Sequence, residues 1–273
     1  MQKLSEKAIS LAPWSPSRLN TADDCPFRYN CEVNKLPIKT FPDDTDARIG
    51  TALHTYIEIL LSDPKRALSK DFIYSLFEDN SLTHKEVTRF NLLKESAETS
   101  AKRIIKFKKS HNITDDNFHV ELGLAINHKF EPTKFLGDDV FLRGKIDLAM
   151  LTPEGVIAVL DHKSGTYSEI TDHYKKQLDA YMILYYYAYH RVKANDKRVK
   201  SFVGYLNAIG GDSPDILRSD EVLFEEFDEK IKSKFIEYIN RVSDSLESNE
   251  AKPGNHCKYC SFIDKCPLNI VRK

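Results

Sequence analysis

Apolar residues recur at helical spacing in four stretches of the chain and at strand spacing in four others. Ala52, Leu53, Tyr56, Ile57, Leu60 and Leu61 form the first helical stripe, and Asp63-Pro64 ends it. Phe90, Leu93, Ala97, Ala101, Ile104 and Ile105 form one stripe of a second helix over residues 86–109. The period then changes. Phe118, Val120, Leu122, Leu124 and Ile126 alternate with polar or small residues, which predicts a strand with one apolar face. Residues 140–151 and 156–160 predict two more strands, residues 174–192 a helix, and residues 202–209 a strand. A last helix carries Phe224, Phe227, Ile231, Phe235, Ile239, Val242 and Leu246. A loop rich in Pro and Asp, residues 36–46, precedes the first helix. This order predicts a mixed α/β domain whose first three strands form an antiparallel meander. No internal repeat or low-complexity segment interrupts it.

Composition narrows the class. At 273 residues, 41% apolar and 30% charged, the chain reads as one globular domain over residues 1–273. Lys and Arg total 40 against 41 for Asp and Glu, a net charge of -1. No global positive field exists to hold nucleic acid, so any such contact needs a local patch. Residues 1–14 carry Lys3, Glu6 and Lys7 and no long apolar run, and the most apolar stretch, residues 181–189, is too short for a membrane span. A cytoplasmic protein is expected. Five cysteines then point to a metal or cluster site in preference to disulfides.

The turn Thr152-Pro153-Glu154-Gly155 separates two apolar strands. With a three-residue loop, Thr152 pairs with Val156, and Asp147 falls opposite Asp161 with Cβ atoms about 5 Å apart. Lys163, two residues on, shares the face of Asp161. Two carboxylates at that spacing repel by roughly 3 kcal/mol at an effective dielectric near 20. One then holds its proton, or a divalent cation resolves the conflict, and carboxylate oxygens suit Mg²⁺ or Mn²⁺. The plainer alternative is an ion pair of Asp147 with Lys145 or Lys163. Three further pieces stand near this hairpin. His54 and Glu58 share a helix face at i, i+4, as do Gln177 and Tyr181, and Glu121 lies in the neighbouring strand. Each has an ordinary packing role as its alternative.

Cys257, Cys260 and Cys266 form a compact set of thiolates, one short of a four-ligand site that Cys25 or Cys31 completes. Four thiolates fit tetrahedral zinc or an iron–sulfur cluster, and a one-plus-three spacing favours the cluster. It would staple the N-terminal segment to the C-terminal tail.

The ordered set resembles the RecB-type branch of the PD-(D/E)XK nuclease superfamily. It is similar in particular to members with an iron–sulfur cluster, namely the AddB nuclease domain and the stand-alone CRISPR-associated exonucleases. The resemblance runs from Ser15-Pro16-Ser17-Arg18-Leu19 and Cys25-Pro26-x-x-Tyr29 through Gly50-x-x-x-His54, Gly144-Lys145-Ile146-Asp147, Leu160-Asp161-His162-Lys163-Ser164-Gly165 and Gln177-x-x-x-Tyr181 to the last three cysteines. It implies a restriction-endonuclease-like core, a mixed sheet flanked by helices, whose two ends are joined by a metal cluster built from about residues 15–35 and 253–273. It implies metal ligation by His54, Asp147, Asp161 and the peptide carbonyl of His162; Glu121, from the neighbouring strand, is expected beside them. Lys163 matches the catalytic lysine, and Gln177 and Tyr181 the motif that positions DNA or that lysine. A [4Fe-4S] cluster falls to Cys25, Cys257, Cys260 and Cys266, leaving Cys31 spare. Asp-x-Lys in place of Glu-x-Lys is a variant both of whose forms occur in the superfamily.

The expected function is Mg²⁺- or Mn²⁺-dependent hydrolysis of DNA. The expected substrate is single-stranded DNA or DNA ends, processed exonucleolytically in recombination, repair, or phage or CRISPR DNA metabolism. Tyr167, Tyr174 and Tyr181 offer rings for base stacking. No Gly-x4-Gly-Lys-Ser/Thr motif supplies an ATP motor, so any unwinding falls to a partner helicase or another recombination or CRISPR protein. The competing readings are a non-catalytic DNA-end-binding scaffold of the same fold and a zinc-stabilised interaction protein.

Overall fold

The computed structural model describes residues 2–38, 44–191, 198–211 and 214–268. Three short helices open the chain: α1 (Glu6–Ser10), α2 (Pro16–Asp24) and α3 (Pro26–Val33). Ser15 caps α2 by accepting the Arg18 N–H, and Pro16 and Pro26 occupy first-turn positions where the missing N–H costs nothing. None of the three was expected from the sequence, because each is too short to show a stripe. Of the loop expected at residues 36–46, residues 39–43 lie outside the described residues. The helix α4 (Thr45–Ser62) begins inside its C-terminal end.

The small helices α5 (Pro64–Ala67) and α6 (Lys70–Asp79) lead to the long α7 (His84–Ser110). Thr83 and Glu86 start α7 with a capping box, in which the Glu86 carboxylate accepts the Thr83 N–H at 2.7 Å. The helices α4 and α7 run side by side. Glu86 accepts from Arg48, Asp46 from Arg89, and Glu98 from the Tyr56 hydroxyl at 2.8 Å, while Leu53, Ile57, Phe90 and Ala97 bury the apolar seam between them.

The strands β1 (Phe118–Ile126), β2 (Leu142–Leu151) and β3 (Val156–Lys163) form the antiparallel meander. After α8 (Asp172–Leu184), whose last turns relax into a π-helical stretch at residues 185–190, β4 (Ser201–Ala208) joins β3 in parallel. Val192, the expected end of that helix, lies outside the described residues. Two short strands escaped the sequence, β5 (Asp215–Arg218) and β6 (Val222–Leu223), both antiparallel to β4. The sheet order is β1-β2-β3-β4-β5, with β6 off the end of β4. The last helix, α9 (Lys234–Ser245), begins later than its stripe, after 3-10 and π-helical turns over residues 224–233. Helices α8 and α9 cover one sheet face through Leu178, Ile183, Phe235 and Ile239. Helices α4 and α7 cover the other, where Ile104 meets Leu148, Met150, Leu160 and Val203. Among the described residues no helix is long and apolar enough to cross a membrane.

Two departures from a regular sheet build the site. Phe118 and Val120 pack in the α7 layer, whereas Leu122, Leu124 and Ile126 pack in the α8 layer. Residues two apart share a face in a regular strand, so the expected single apolar face of β1 changes sides between Val120 and Leu122. The break is Glu121, whose φ of 55° lies in the left-handed region. β2 changes sides at the facing position. Ile146 packs in the α8 layer and Leu148 in the α7 layer, with Asp147 between them. The register is the same on both sides of the break, since Val120 faces Leu148 and Leu122 faces Ile146. A strained non-glycine residue costs on the order of 1–3 kcal/mol and persists where its surroundings over-determine it.

The second departure is a fork. The β2–β3 register is the one the turn predicts, Leu151 facing Ile157 and Leu148 facing Leu160, with Gly155 at φ 91° in the turn. Beyond Leu148 the ladder opens. Trp14 takes the free edge of β2 at Leu142, receiving the Arg143 N–H at 3.0 Å.

Candidate active site

Five elements meet at the mouth of the fork. His54 comes from the middle of α4, Glu121 and Asp147 from the paired kinks of β1 and β2, and Asp161, His162 and Lys163 from the end of β3. Gln177 and Tyr181 come from α8. The Asp147 carboxylate does not pair through the ladder with Asp161. Its Oδ2 accepts the His162 peptide N–H at 2.7 Å and lies 3.3 Å from His54 Nδ1. Asp161 turns to the other helix layer. Its Oδ1 accepts from Gln177 Nε2 at 2.8 Å, and its Oδ2 lies 2.5 Å from Lys163 Nζ. The two aspartates are level in register, as the turn predicts, yet they reach to different helices.

The ligand atoms of His54, Glu121 and Asp147 all lie within 4.8 Å of one another. Asp161 stands outside that trio, engaged by Gln177 and Lys163. Glu121, expected beside the metal ligands, is inside it and also pairs with Lys145. An open hollow of about 470 Å³ leads to the trio, lined by Gly50, Thr51, Glu58, Lys145 and Ser164. One imidazole and two carboxylates form a donor set suited to Mg²⁺ or Mn²⁺.

The charges of the site settle unequally. Burial raises the Asp147 carboxyl, but His54 and the His162 N–H outweigh it and hold Asp147 below the usual carboxylate range. Burial pushes Asp161 up to about 6, against the pull of Lys163 and with the push of Asp147. The carboxylate conflict legible in the sequence therefore falls on Asp161. Burial would lower His54, yet Asp147 and Asp161 raise it. Glu121 is raised by burial despite Lys145.

Tyr181 is buried at 6% exposure and receives the Gln177 Nε2–H at 2.9 Å on its hydroxyl. It is a wall of the fork and cannot stack on a base, which corrects that expectation. Gly144 makes room for it: a Cβ there would stand 3.3 Å from the ring and 3.0 Å from Leu184. Tyr167 and Tyr174 are only half-buried, with hydroxyls 2.8 Å apart, and Lys163 Nζ lies 5.2 Å from the centre of the Tyr174 ring.

None of the five cysteines is in a disulfide. Cys25 ends α2 and caps α3, accepting the Arg28 N–H on Sγ, and Cys257 Sγ accepts from Gly254 N–H. The tail returns to α3, since Phe27 N–H donates to Glu250 O at 3.1 Å. Cys31, expected as the spare, packs with Cys260 and Phe262 in one apolar cluster. Burial, reinforced by neighbouring thiols, raises both Cys31 and Cys260.

Two residues were missed by the sequence reading, Ser100 on α7 and Asn207 on β4. Both are fully buried and hydrogen-bonded in series to the His162 ring. The one signal for Asn207 was a polar residue within the apolar run 202–209.

No curated protein matches the chain. Among solved structures, "Crystal structure of SSO0001" is similar at 13% identity and a TM-score of 0.36, covering 90% of this chain and 96% of that one. A family model described as "PD-(D/E)XK nuclease superfamily" matches residues 13–267, a span holding every site residue above and all five cysteines. The chain belongs to the PD-(D/E)XK nuclease superfamily.

Proposed function

We propose that the protein is a divalent-metal-dependent deoxyribonuclease, acting as an exonuclease on single-stranded DNA or DNA ends. The observation that carries this reading is the convergence of His54, Glu121 and Asp147 beside the Asp161–Lys163 pair. A cation held there supplies Lewis acidity and a water of lowered pKa. His54, Glu121 and Asp147 would hold it, and Asp161 and the His162 carbonyl would join the set in the reading the resemblance implies. Lys163 keeps Asp161 ionised against burial and offers positive charge where the phosphate gains negative charge. Gln177 orients Asp161 and rests on the Tyr181 hydroxyl, so the α8 layer fixes the carboxylate that precedes the lysine by two residues. The Tyr167 and Tyr174 rings beside Lys163 supply an apolar surface for the face of an unpaired base, which favours single-stranded ends.

In the same reading Cys25, Cys257, Cys260 and Cys266 hold a [4Fe-4S] cluster that ties α3 to the tail. The donors are thiols outside any disulfide, on two segments already hydrogen-bonded together. Cys31, beside Cys260, is the rival for the fourth place.

The test is incubation of anaerobically purified protein with end-labelled single- and double-stranded DNA, with Mg²⁺, Mn²⁺ or EDTA. Metal-dependent release of nucleotides from single-stranded ends is expected. DNA that is bound but left intact with both metals would establish the scaffold reading instead.

A further inference from the structure

The parallel pairing of β3 with β4 sets Asn207 directly beside His162 in the middle of the sheet. Asn207 is fully buried in a strand whose other residues are mostly apolar. A buried amide costs stability unless its hydrogen bonds are met, and an apolar residue of the same size would serve the core better. Both ends of this amide are met. Its Oδ1 accepts the Ser100 hydroxyl at 2.8 Å, and its Nδ2 donates to His162 Nδ1 at 2.6 Å. Ser100 is itself fully buried on α7 and takes the end of the amide that faces away from the histidine.

An amide nitrogen has hydrogens and no acceptor capacity, so His162 Nδ1 must accept. The ring proton then sits on Nε2. Nε2 is buried and makes no hydrogen bond with any described residue, while the ring stands edge-on to His54 at 5.9 Å between centroids. The backbone of the same residue gives its N–H to Asp147 Oδ2.

We infer that Asn207, backed by Ser100, is a positioning residue of the metal centre: it locks the His162 ring in the Nε2–H tautomer and, through the His162 peptide, holds the Asp147 carboxylate in place. The part that concerns Asp147 rests on the metal-binding reading above, and the tautomer does not. Outer partners that orient a ligand typically change metal affinity by about 10- to 100-fold when removed.

Asn207→Leu keeps the volume and deletes both bonds, and Ser100→Ala leaves the amide free to turn over. Two readouts apply to each, beside a thermal melt. The first is the ¹⁵N spectrum of histidine-labelled apo protein, in which bare and protonated ring nitrogens resonate far apart, with His162 assigned through His162→Phe. The second is Mn²⁺ titration by calorimetry. The parent should show bare Nδ1 and protonated Nε2. Folded Asn207→Leu should show mixed tautomers and bind Mn²⁺ about 10- to 100-fold more weakly, with Ser100→Ala moving the same way by less. Should Asn207→Leu fail to fold, Ser100→Ala decides alone. A folded variant with unchanged tautomer and unchanged Mn²⁺ affinity overturns the inference. A parent that binds no Mn²⁺ would sink the metal-binding reading, and the spectra of the apo proteins would then decide the Asn207 role by themselves.

Discussion

Asp161→Asn should make the metal-free protein more stable while destroying the site. Burial, with Asp147 adding repulsion, pushes the Asp161 carboxyl up to about 6, although Lys163 and His54 pull against it. The unfolded chain would titrate near 3.9, so the ionised form is disfavoured in the fold by about two pKa units, or about 3 kcal/mol. Asparagine keeps an oxygen for Gln177 Nε2, which donates to Oδ1 at 2.8 Å. It deprives Lys163 of its partner, but that side chain is 21% exposed and can turn to water. The net gain expected at pH 7 is about 1–3 kcal/mol, or several degrees in Tm at roughly 2–4 °C per kcal/mol.

The pH dependence gives the sharper check. Between pH 4 and 6 the folded state holds the Asp161 proton and the unfolded state has lost it, so parental stability falls as pH rises through that window. The variant lacks this contribution. His54, raised by its carboxylate neighbours, titrates above the window, and Asp179, pushed up to about 7 by burial, and Glu121 act on both proteins alike, so the difference between the two isolates Asp161. Urea unfolding in EDTA at pH 4, 5, 6 and 7 should therefore show a stability difference that grows to pH 6 and then levels. A difference that is flat with pH, or a variant less stable than the parent at pH 7, would refute the placing of the charge conflict on Asp161.

Lys163→Ala should lower single-turnover cleavage by about 100- to 1,000-fold, far beyond any fall in the folded fraction seen in a thermal melt. A folded Lys163→Ala protein that cuts at the parental rate ends the assignment of this lysine. Cys25→Ala should lose iron and the broad visible absorption near about 400 nm expected of thiolate-ligated iron, whereas Cys31→Ala should keep both. Iron retained in the first and lost in the second would move the fourth ligand to Cys31. Gly144→Ala places a methyl group 3.0 Å from Leu184 and 3.3 Å from the Tyr181 ring, so about 1–3 kcal/mol of stability should be lost. A cleavage rate that falls only with the folded fraction, measured beside urea unfolding, would show that Tyr181 need not hold its place for the reaction.

The amino-acid order by itself determined the long elements and their sequence. The stripes of α4 and α7 and the apolar runs of β2 and β3 are patterns over a few residues, and a helix or strand answers to them locally. Turn chemistry at Pro153-Glu154-Gly155 likewise set the β2–β3 register, and so the level position of Asp147 and Asp161. The site motifs were legible because cysteine spacing, Asp-x-Lys and Gln-x-x-x-Tyr are also short-range. What each side chain does was decided by packing between elements far apart in the chain. The alternation of β1 predicted one apolar face, and the left-handed Glu121 turned half of it over, because α4, α7 and α8 bury the two halves in different layers. Tyr181 read as a ring for stacking, and the close approach of α8 to Gly144 made it a wall. The same holds for Asp161 and Asn207. The carboxylate bears the charge conflict because Gln177 and β3 bury it, and the amide meets Ser100 and His162 only once α7, β4 and β3 have come together. Desolvation and cross-element hydrogen bonds depend on the whole enclosure of a group, and no stretch of neighbouring residues encodes that.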